Sequence, residues 1–296
     1  MDINFELYKV FYYVAKTLSF SEASKELFIS QSAVSQSIKT LEKRLNQPLF
    51  IRSTKKVQLT KEGLLLFKHI EPAVNLIAKG ENQILEAHTL KGGQLRIGAS
   101  DTICRYFLVP FLNAFHQSYP NVHIKVTNGT SMQCVDLLEH NQVDLIVTNS
   151  PNPKLNNIRN VKHICSFSDV FVASPSAFSD LMEQEISFAQ LAGYPILMLE
   201  QHATTSEFLH QLFQQNQIDL VPAVELSSND LLIDLAKIGL GIAFVPNYCI
   251  QEEDSDLFII HLEKELPKRE LIAAYSDQFP LSDAAEKFLN SLLLTE

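Results

Sequence analysis

Residues 19–45 read SFSEASKELFISQSAVSQSIKTLEKRL, and this stretch decides how the head of the chain folds. Ser19-Phe-Ser-Glu22 has the form of a capping box, in which the Ser19 hydroxyl satisfies an exposed N–H while Glu22 reaches back. Ala23 and Leu27 follow, four apart on a short helix. Phe28-Ile29-Ser30 breaks the pattern, and Ser30 is a good N-cap for a helix that starts at Gln31. That helix carries Val34, Ile38, Leu41 and Leu45 as one apolar stripe. Its other side presents Gln31, Ser32, Ser35, Gln36, Lys39 and Lys43. A short helix, a tight turn and a second helix with a donor-rich face make a helix-turn-helix. Gln pairs bidentately with an adenine edge, Ser donates or accepts, and Lys reaches guanine or phosphate. The same residue types face outward on ordinary surface helices, and such helix pairs recur in bundles that bind no nucleic acid.

The flanks extend the pattern. Upstream, Leu7, Val10, Phe11 and Val14 share one face of an amphipathic helix over Phe5 to Lys16. Downstream, residues 47–60 read QPLFIRSTKKVQLT, a strand, a basic turn and a second strand. This is a wing placed directly after the recognition helix. Arg52, Lys55 and Lys56 cluster at its tip without an acid among them, suited to phosphates or a narrow minor groove. The charge distribution agrees. The whole chain of 296 residues has a net charge of −10, yet residues 1–68 hold 11 Lys+Arg against 6 Asp+Glu, while residues 93–296 hold 11 against 25. A small basic head on a large acidic body suits an anionic partner for the head alone.

The run from Ser21 to Glu42 resembles the N-terminal signature of the LysR-type transcriptional regulators. Leu45-Asn-Gln-Pro-Leu-Phe-Ile-Arg52 and Leu59-Thr-Lys-Glu-Gly63 are similar to that family's wing and to the entry of its linker helix. The resemblance covers essentially the whole chain. It implies double-stranded promoter DNA as a partner, with RNA polymerase as a further one. It also implies a small-molecule effector, a dimer through paired linker helices, and a tetramer. The assignment that goes with it gives Gln31, Ser32, Ser35, Gln36, Lys39, Arg52, Lys55 and Lys56 to DNA.

From Lys61 to about Leu90, Phe67, Ile70, Val74, Ile77 and Ile84 follow three-four spacing. At 1.5 Å per residue this helix spans about 45 Å, too long to lie on one small domain. Its seam suggests a paired helix in a dimer, the plain alternative being a solvent-bridging linker. Pro72 removes one backbone bond and is a candidate kink. Lys91-Gly92-Gly93 ends the helix and marks a hinge.

Beyond Gly93 strands and helices alternate, as in an α/β domain with a mostly parallel sheet. The strands expected are Leu95–Ala99, Ile124–Thr127, Val143–Thr148, Asp169–Ser174, Ile196–Leu199, Ala223–Leu226, Gly241–Val245 and Leu271–Tyr275. The helix Thr102–Gln117 is expected to be continuous, and the chain is expected to cross between lobes near Cys165–Phe167 and Lys268–Leu271. Val143-Asp-Leu-Ile-Val147 and Ile238-Gly-Leu-Gly-Ile-Ala-Phe-Val-Pro246 resemble recurrent segments of the same family, which implies a two-lobed effector domain like that of the periplasmic binding proteins. The fold class is therefore multidomain. An N-terminal all-α winged helix-turn-helix spans 1–60 and a linker helix 61–92. The two-lobed α/β domain spans 93–296, with lobe I over 93–166 and 269–296 and lobe II over 167–268.

In open α/β sheets ligands sit beyond the carboxyl ends of the strands. Those ends carry small hydroxyls near helix N-termini, where free N–H groups suit a carboxylate, sulfate or phosphate. Ser100, Thr102, Thr130 and Thr204 are the candidate effector residues, with Arg105 one turn into its helix to add charge. Each hydroxyl is also an ordinary helix cap.

Other chemistry finds little support. No HExxH, GxSxG or Walker sequence occurs, so no metal, cofactor or catalytic residue is expected. Gly239-Leu-Gly241 lacks the rest of a dinucleotide fingerprint. The N-terminus has no basic segment before an apolar one, no apolar run approaches the length of a membrane span, and Cys104, Cys134, Cys165 and Cys249 form no CxxC. A cytoplasmic location without membrane contact is expected. Two alternatives remain at this stage. One is a solute-binding or enzymatic α/β domain with the head as a dimerisation module. The other is a thiol-based oxidant sensor on the same scaffold, with Cys104 as its thiol.

Overall fold

The computed structural model describes residues 3–52, 56–88, 93–201, 203–250 and 255–294. Lys55 and the expected hinge at Lys91-Gly92 lie outside them. The chain divides into two compact units, one built mainly from residues 1–88 and the other from residues 89–139 and 143–296. Among the described residues no helix is long and apolar enough to cross a membrane.

In the first unit, α1 (Phe5–Thr17), α2 (Phe20–Glu26) and α3 (Gln31–Leu45) precede β1 (Phe50–Arg52) and β2 (Val57–Leu59), and α4 (Lys61–His88) follows. The expected stripes form the core. Val10, Phe11 and Val14 of α1 meet Val34, Ile38 and Leu41 of α3, with Leu7 and Leu45 at the margin. Phe50 ties the wing to this core, its ring 5.5 Å from that of Phe11 and 5.8 Å from that of Phe20. Antiparallel pairing of Phe50 with Leu59 and Arg52 with Val57 sets the hairpin register. Ser30 caps α3 by accepting from Ala33 N–H at 3.2 Å. The capping box at α2 is only half formed. Ser19 accepts from Glu22 N–H, but the Glu22 carboxylate takes Lys25 Nζ at 2.8 Å instead of reaching back, because an ammonium one turn on competes with a backbone N–H.

The helix α4 is continuous through Pro72. Its seam is divided between two uses. Phe67 and Ile70 pack on the head's own core, Phe67 stacking with Tyr12 at 6.2 Å between centroids. Ile77 and Ile84 remain 46% and 63% exposed. Ile70 therefore serves the head's fold, where the periodicity assigned it to an intermolecular seam. Gly63, at the start of α4, lies against the wing: a Cβ there would meet Leu49 O at 2.1 Å, so no larger residue fits unless the backbone moves.

The second unit runs β3 (Gln94–Ala99), α5 (Asp101–Ile103), a π-helical turn (Cys104–Leu108), α6 (Val109–Ser118), β4 (His123–Asn128), α7 (Ser131–Glu139), β5 (Leu145–Ser150), β6 (Asn160–Phe167), β7 (Asp169–Ala173), β8 (Glu185–Ile186), α8 (Phe188–Leu191), β9 (Ile196–Leu199), α9 (Thr204–Gln215), β10 (Val224–Leu226), α10 (Asn229–Lys237), β11 (Ile242–Pro246), β12 (Phe258–Leu262), β13 (Arg269–Tyr275) and α11 (Asp283–Leu293). The strands form two sheets, ordered β4-β3-β5-β13-β6 and β10-β9-β11-β7-β12-β8. Each sheet has its own apolar cores, one anchored by Phe115 and Phe288, another by Phe171, Phe213 and Phe244.

The sheets are mixed, not mostly parallel. β3 runs parallel to β4 and β5, and β9 parallel to β10 and β11, but β13 is antiparallel to both β5 and β6, and β7 to both β11 and β12. The antiparallel strands are those by which the chain passes between sheets, from β6 to β7 through Ser168 and from β12 into β13. A strand arriving from the other sheet needs no crossover helix and can pair antiparallel. The helix expected over Thr102–Gln117 is interrupted by the π turn, where Val109 N–H reaches back to Cys104 O. Pro110 follows immediately and has no N–H to give, so the wider turn accommodates it.

Candidate functional site

Two surfaces gather the candidate residues. The first is the outer side of α3. Gln31, Ser32, Gln36 and Lys39 are exposed there, and Ser35 is half-buried between them. Lys56 is exposed at the wing, and the backbone of Arg52 ends β1. Glu42 fixes this wing to the recognition helix: its Oε1 accepts from Leu49 N–H at 2.8 Å and from Phe50 N–H at 3.3 Å. Thr60 adds a bond from its hydroxyl to Pro48 O at 2.8 Å and caps Gly63 N–H at 2.9 Å.

The second is a cavity of about 370 Å³ in the second unit, at the carboxyl ends of β3, β4, β5, β9 and β10. Ser100, Thr102, Thr130 and Thr204, predicted from three separate strand ends in the sequence, all line it, and so do Thr205, Asn149, Asn229 and Tyr248. The local reason is shared. Each strand ends at the cavity and a helix begins within a few residues, so the hydroxyls sit among the uncapped N–H groups. Ser100 Oγ accepts from Ile103 N–H at 3.2 Å and Thr130 Oγ1 from Gln133 N–H at 3.2 Å. Thr204 Oγ1 accepts from Arg269 at 3.1 Å and Thr205 Oγ1 from the same guanidinium at 3.0 Å. A hydroxyl that accepts from an N–H keeps its own proton for another acceptor. These four hydroxyls are each still able to donate. Asn149 Oδ1, Asn229 Oδ1 and Tyr248 Oη are buried with no partner among the described residues.

Arg105 does not line the cavity. Its guanidinium pairs with Asp230 at 3.2 Å, and Tyr106 Oη donates to the same carboxylate. Asp230 lies in the first turn of α10, where a carboxylate is favoured, and draws the cation away. Next to it Asn229 Nδ2 donates to Thr102 Oγ1 at 2.9 Å. Thr102 is therefore one side of a clasp between α5 and α10. The carboxylates of Asp101 and Glu200 also line the cavity, and Asp101 Oδ1 accepts from Asn128 Nδ2 at 3.1 Å. No Lys or Arg appears among the described lining residues.

The thiols are not activated. Burial pushes the Cys104 thiol up to about 11, with the Asp101 charge adding to it, and pushes Cys134 up to about 12. Both stay protonated at neutral pH, where a thiol is a poor nucleophile. Among the described residues no group of three His, Cys, Asp or Glu is placed to hold a metal ion.

Two family descriptions match this chain: "Bacterial regulatory helix-turn-helix protein, lysR family" over residues 5–64, and "LysR substrate binding domain" over residues 88–294. The chain belongs to the LysR family. As a LysR-type transcriptional regulator it combines a helix-turn-helix DNA-binding domain with an effector-binding domain. It is 28% identical over 287 residues to the HTH-type transcriptional activator CmpR of Synechocystis sp., covering 96% of this chain and 93% of CmpR. Its fold is similar to full-length CbnR, solved in complex with its target DNA (TM-score 0.68, 18% identity, 98% of this chain and 99% of that one). It is also similar to the CcmR regulatory domain of Synechocystis PCC6803, solved in complex with 2-PG (TM-score 0.61, 23% identity, 68% of this chain and 95% of that one).

In this LysR regulator several residues at the two surfaces escaped the sequence reading. Glu42 closed the run that carries the family resemblance but was given no role of its own. Thr205 and Asn149 stood at the expected strand ends but were not singled out as candidates, and Asn229 and Tyr248 carry no motif. Arg269 stood in a segment noted only as a crossing between lobes.

Proposed function

We propose that this regulator binds double-stranded promoter DNA through α3 and the wing, and that its cavity takes a small anionic effector bearing a carboxylate or phosphate. Gln31, Ser32, Ser35, Gln36 and Lys39 face the major groove, while Arg52, Lys55 and Lys56 meet the backbone. Ser100, Thr102, Thr130 and Thr204 surround the effector. The domain divisions at 60/61 and 92/93 separate these roles, and α4 pairs with a second copy through Ile77 and Ile84, two such dimers making a tetramer. The protein acts in the cytoplasm as a binding protein and not as an enzyme, and RNA polymerase is its partner at the promoter.

One observation carries the effector class. Four hydroxyls at one cavity each accept from a protein N–H and so turn their own protons to the ligand. Helix N-termini around them add partial positive charge. The acidic body repels anions at long range, but salt screens that field over about 8 Å, and the local donors decide affinity. The similar CcmR regulatory domain was itself solved in complex with a small molecule, 2-PG. The test is calorimetric titration of the full chain with inorganic phosphate, 2-PG and small carboxylates beside uncharged and cationic analogues. Binding confined to the anions is expected. Binding only of cationic or apolar compounds overturns the effector class.

A further inference from the structure

We infer that Arg269, which does not itself line the cavity, is the positioning residue of the effector site: it orients the Thr204 and Thr205 hydroxyls as anion donors and supplies the charge behind them. This rests on the reading of the cavity as an anion site. Arg269 begins β13 in one sheet, while its partners lie at the other: Asp169 begins β7, and Thr204 and Thr205 begin α9. The guanidinium gives Asp169 Oδ2 a bond of 3.0 Å, Thr205 Oγ1 one of 3.0 Å and Thr204 Oγ1 one of 3.1 Å. The Phe167 ring, with its centroid 5.4 Å away, and the Phe208 ring, at 5.1 Å, hold it in place. Both members of the ion pair are fully buried.

Arginine only donates. Both threonine oxygens must therefore accept from it, and their protons are directed elsewhere, toward the cavity that both residues line. Stability alone does not account for the pair. Buried ion pairs are often replaceable by apolar residues without loss, and here Arg269 Nε and Asp169 Oδ1 are left without partners among the described residues. Nη1 bonds both Asp169 and Thr205 while Nη2 bonds Thr204, so the guanidinium sits directly behind the two hydroxyls of the residues that line the cavity. An anion bonded to Thr204 then lies one hydroxyl away from a cation shielded from water, which replaces the lining cation that Arg105 does not provide.

The experiment titrates the full chain with inorganic phosphate and 2-PG by calorimetry. The variants are Thr204→Val, the paired replacement Arg269→Met with Asp169→Leu, which leaves no lone buried charge, and the combination of all three. Thr204→Val and the paired replacement are each expected to weaken binding about tenfold, the factor that 1.4 kcal/mol represents. Because Arg269 acts through Thr204, the combined variant should lose clearly less than the product of the two factors. Multiplicative losses, or parent-like affinity in the paired replacement, overturn the inference and leave Arg269 a structural staple. If the paired replacement fails to fold, Arg269→Lys takes its place under the same criterion, since a single ammonium nitrogen lacks the planar fork whose Nη1 holds Asp169 and Thr205 while Nη2 holds Thr204. A parent protein that binds neither anion overturns the anion reading itself, and this inference with it.

Discussion

Replacing Glu42 separates the role of holding the DNA-reading surface together from the role of touching DNA. Glu42 Oε1 takes two backbone N–H groups of the wing, one in a short bond of 2.8 Å and one in a weaker bond of 3.3 Å. A hydrogen bond to a charged group contributes about 1.5–3 kcal/mol. The residues that own these N–H groups, Leu49 and Phe50, are 1% and 6% exposed, so neither donor regains water easily when the carboxylate is gone. An unsatisfied buried donor costs about 1–3 kcal/mol. Glu42→Ala should therefore loosen the wing by about 3–5 kcal/mol, and Glu42→Gln, which keeps an acceptor oxygen in place, by about 1–2 kcal/mol. Hydrogen exchange reads the effect at its source: amide protection at Leu49 and Phe50 should fall by about two to four orders of magnitude in Glu42→Ala, in line with about 1.4 kcal/mol per factor of ten. DNA affinity should fall with it, although Glu42 faces the wing and not the operator. Unchanged protection at those two amides in Glu42→Ala would refute the assignment, whatever happened to DNA binding.

Gln36→Ala should weaken operator binding by about 1–3 kcal/mol and relax base preference at one position, and equal binding of operator and variant sequences by parent and mutant alike would remove Gln36 from base readout. Ile77→Asp is expected to give monomers with an intact head, because Ile77 is exposed in the single chain, whereas Ile70→Asp should destabilise the head, since Ile70 is half-buried against its core; sedimentation and circular dichroism check the two in parallel. Alkylation of Cys104 at pH 7.5 should run about 300-fold slower in the native protein than in urea, since a thiol held at about 11 is far less ionised than a free one near 8.5. The folded chain holds the Cys104 proton that the unfolded chain releases. Its contribution to stability is thus full below about pH 8.5 and is lost as pH rises toward 11. A fast native reaction at pH 7.5 would restore the oxidant-sensor alternative.

The parts of the fold legible in the sequence are those in which one local period decides. The stripe of Val34, Ile38 and Leu41 is buried as its spacing requires, and Ser30 caps the helix that its position announced. Strands such as Ile196–Leu199, buried on both faces, read as short apolar runs between turns. What escaped lay where local pattern is weak. In Phe258–Leu262 a single residue of the five, Ile260, is buried, and β8 has two residues, so neither rises above its charged surroundings. The direction of β13 is not a local property at all: it follows from the route by which the chain returns from the other sheet.

The same division explains the cavity. Ser100, Thr102, Thr130 and Thr204 were visible because a hydroxyl after a strand and before a helix is a local pattern with a local cause, the uncapped N–H groups of the first turn. What those hydroxyls do for a ligand depends on partners far away in the chain. Thr102 is separated from Asn229 by 127 positions, and Thr204 from Arg269 by 65. Arg105 made the converse error possible: it is close in sequence to the strand end, yet Asp230, 125 positions on, holds it away from the cavity. Charge placement in this regulator is therefore a tertiary property carried on a locally encoded scaffold. The cation that matters to Thr204 starts a strand in the opposite sheet, and only the closing of the two sheets around the cavity brings Arg269 behind it.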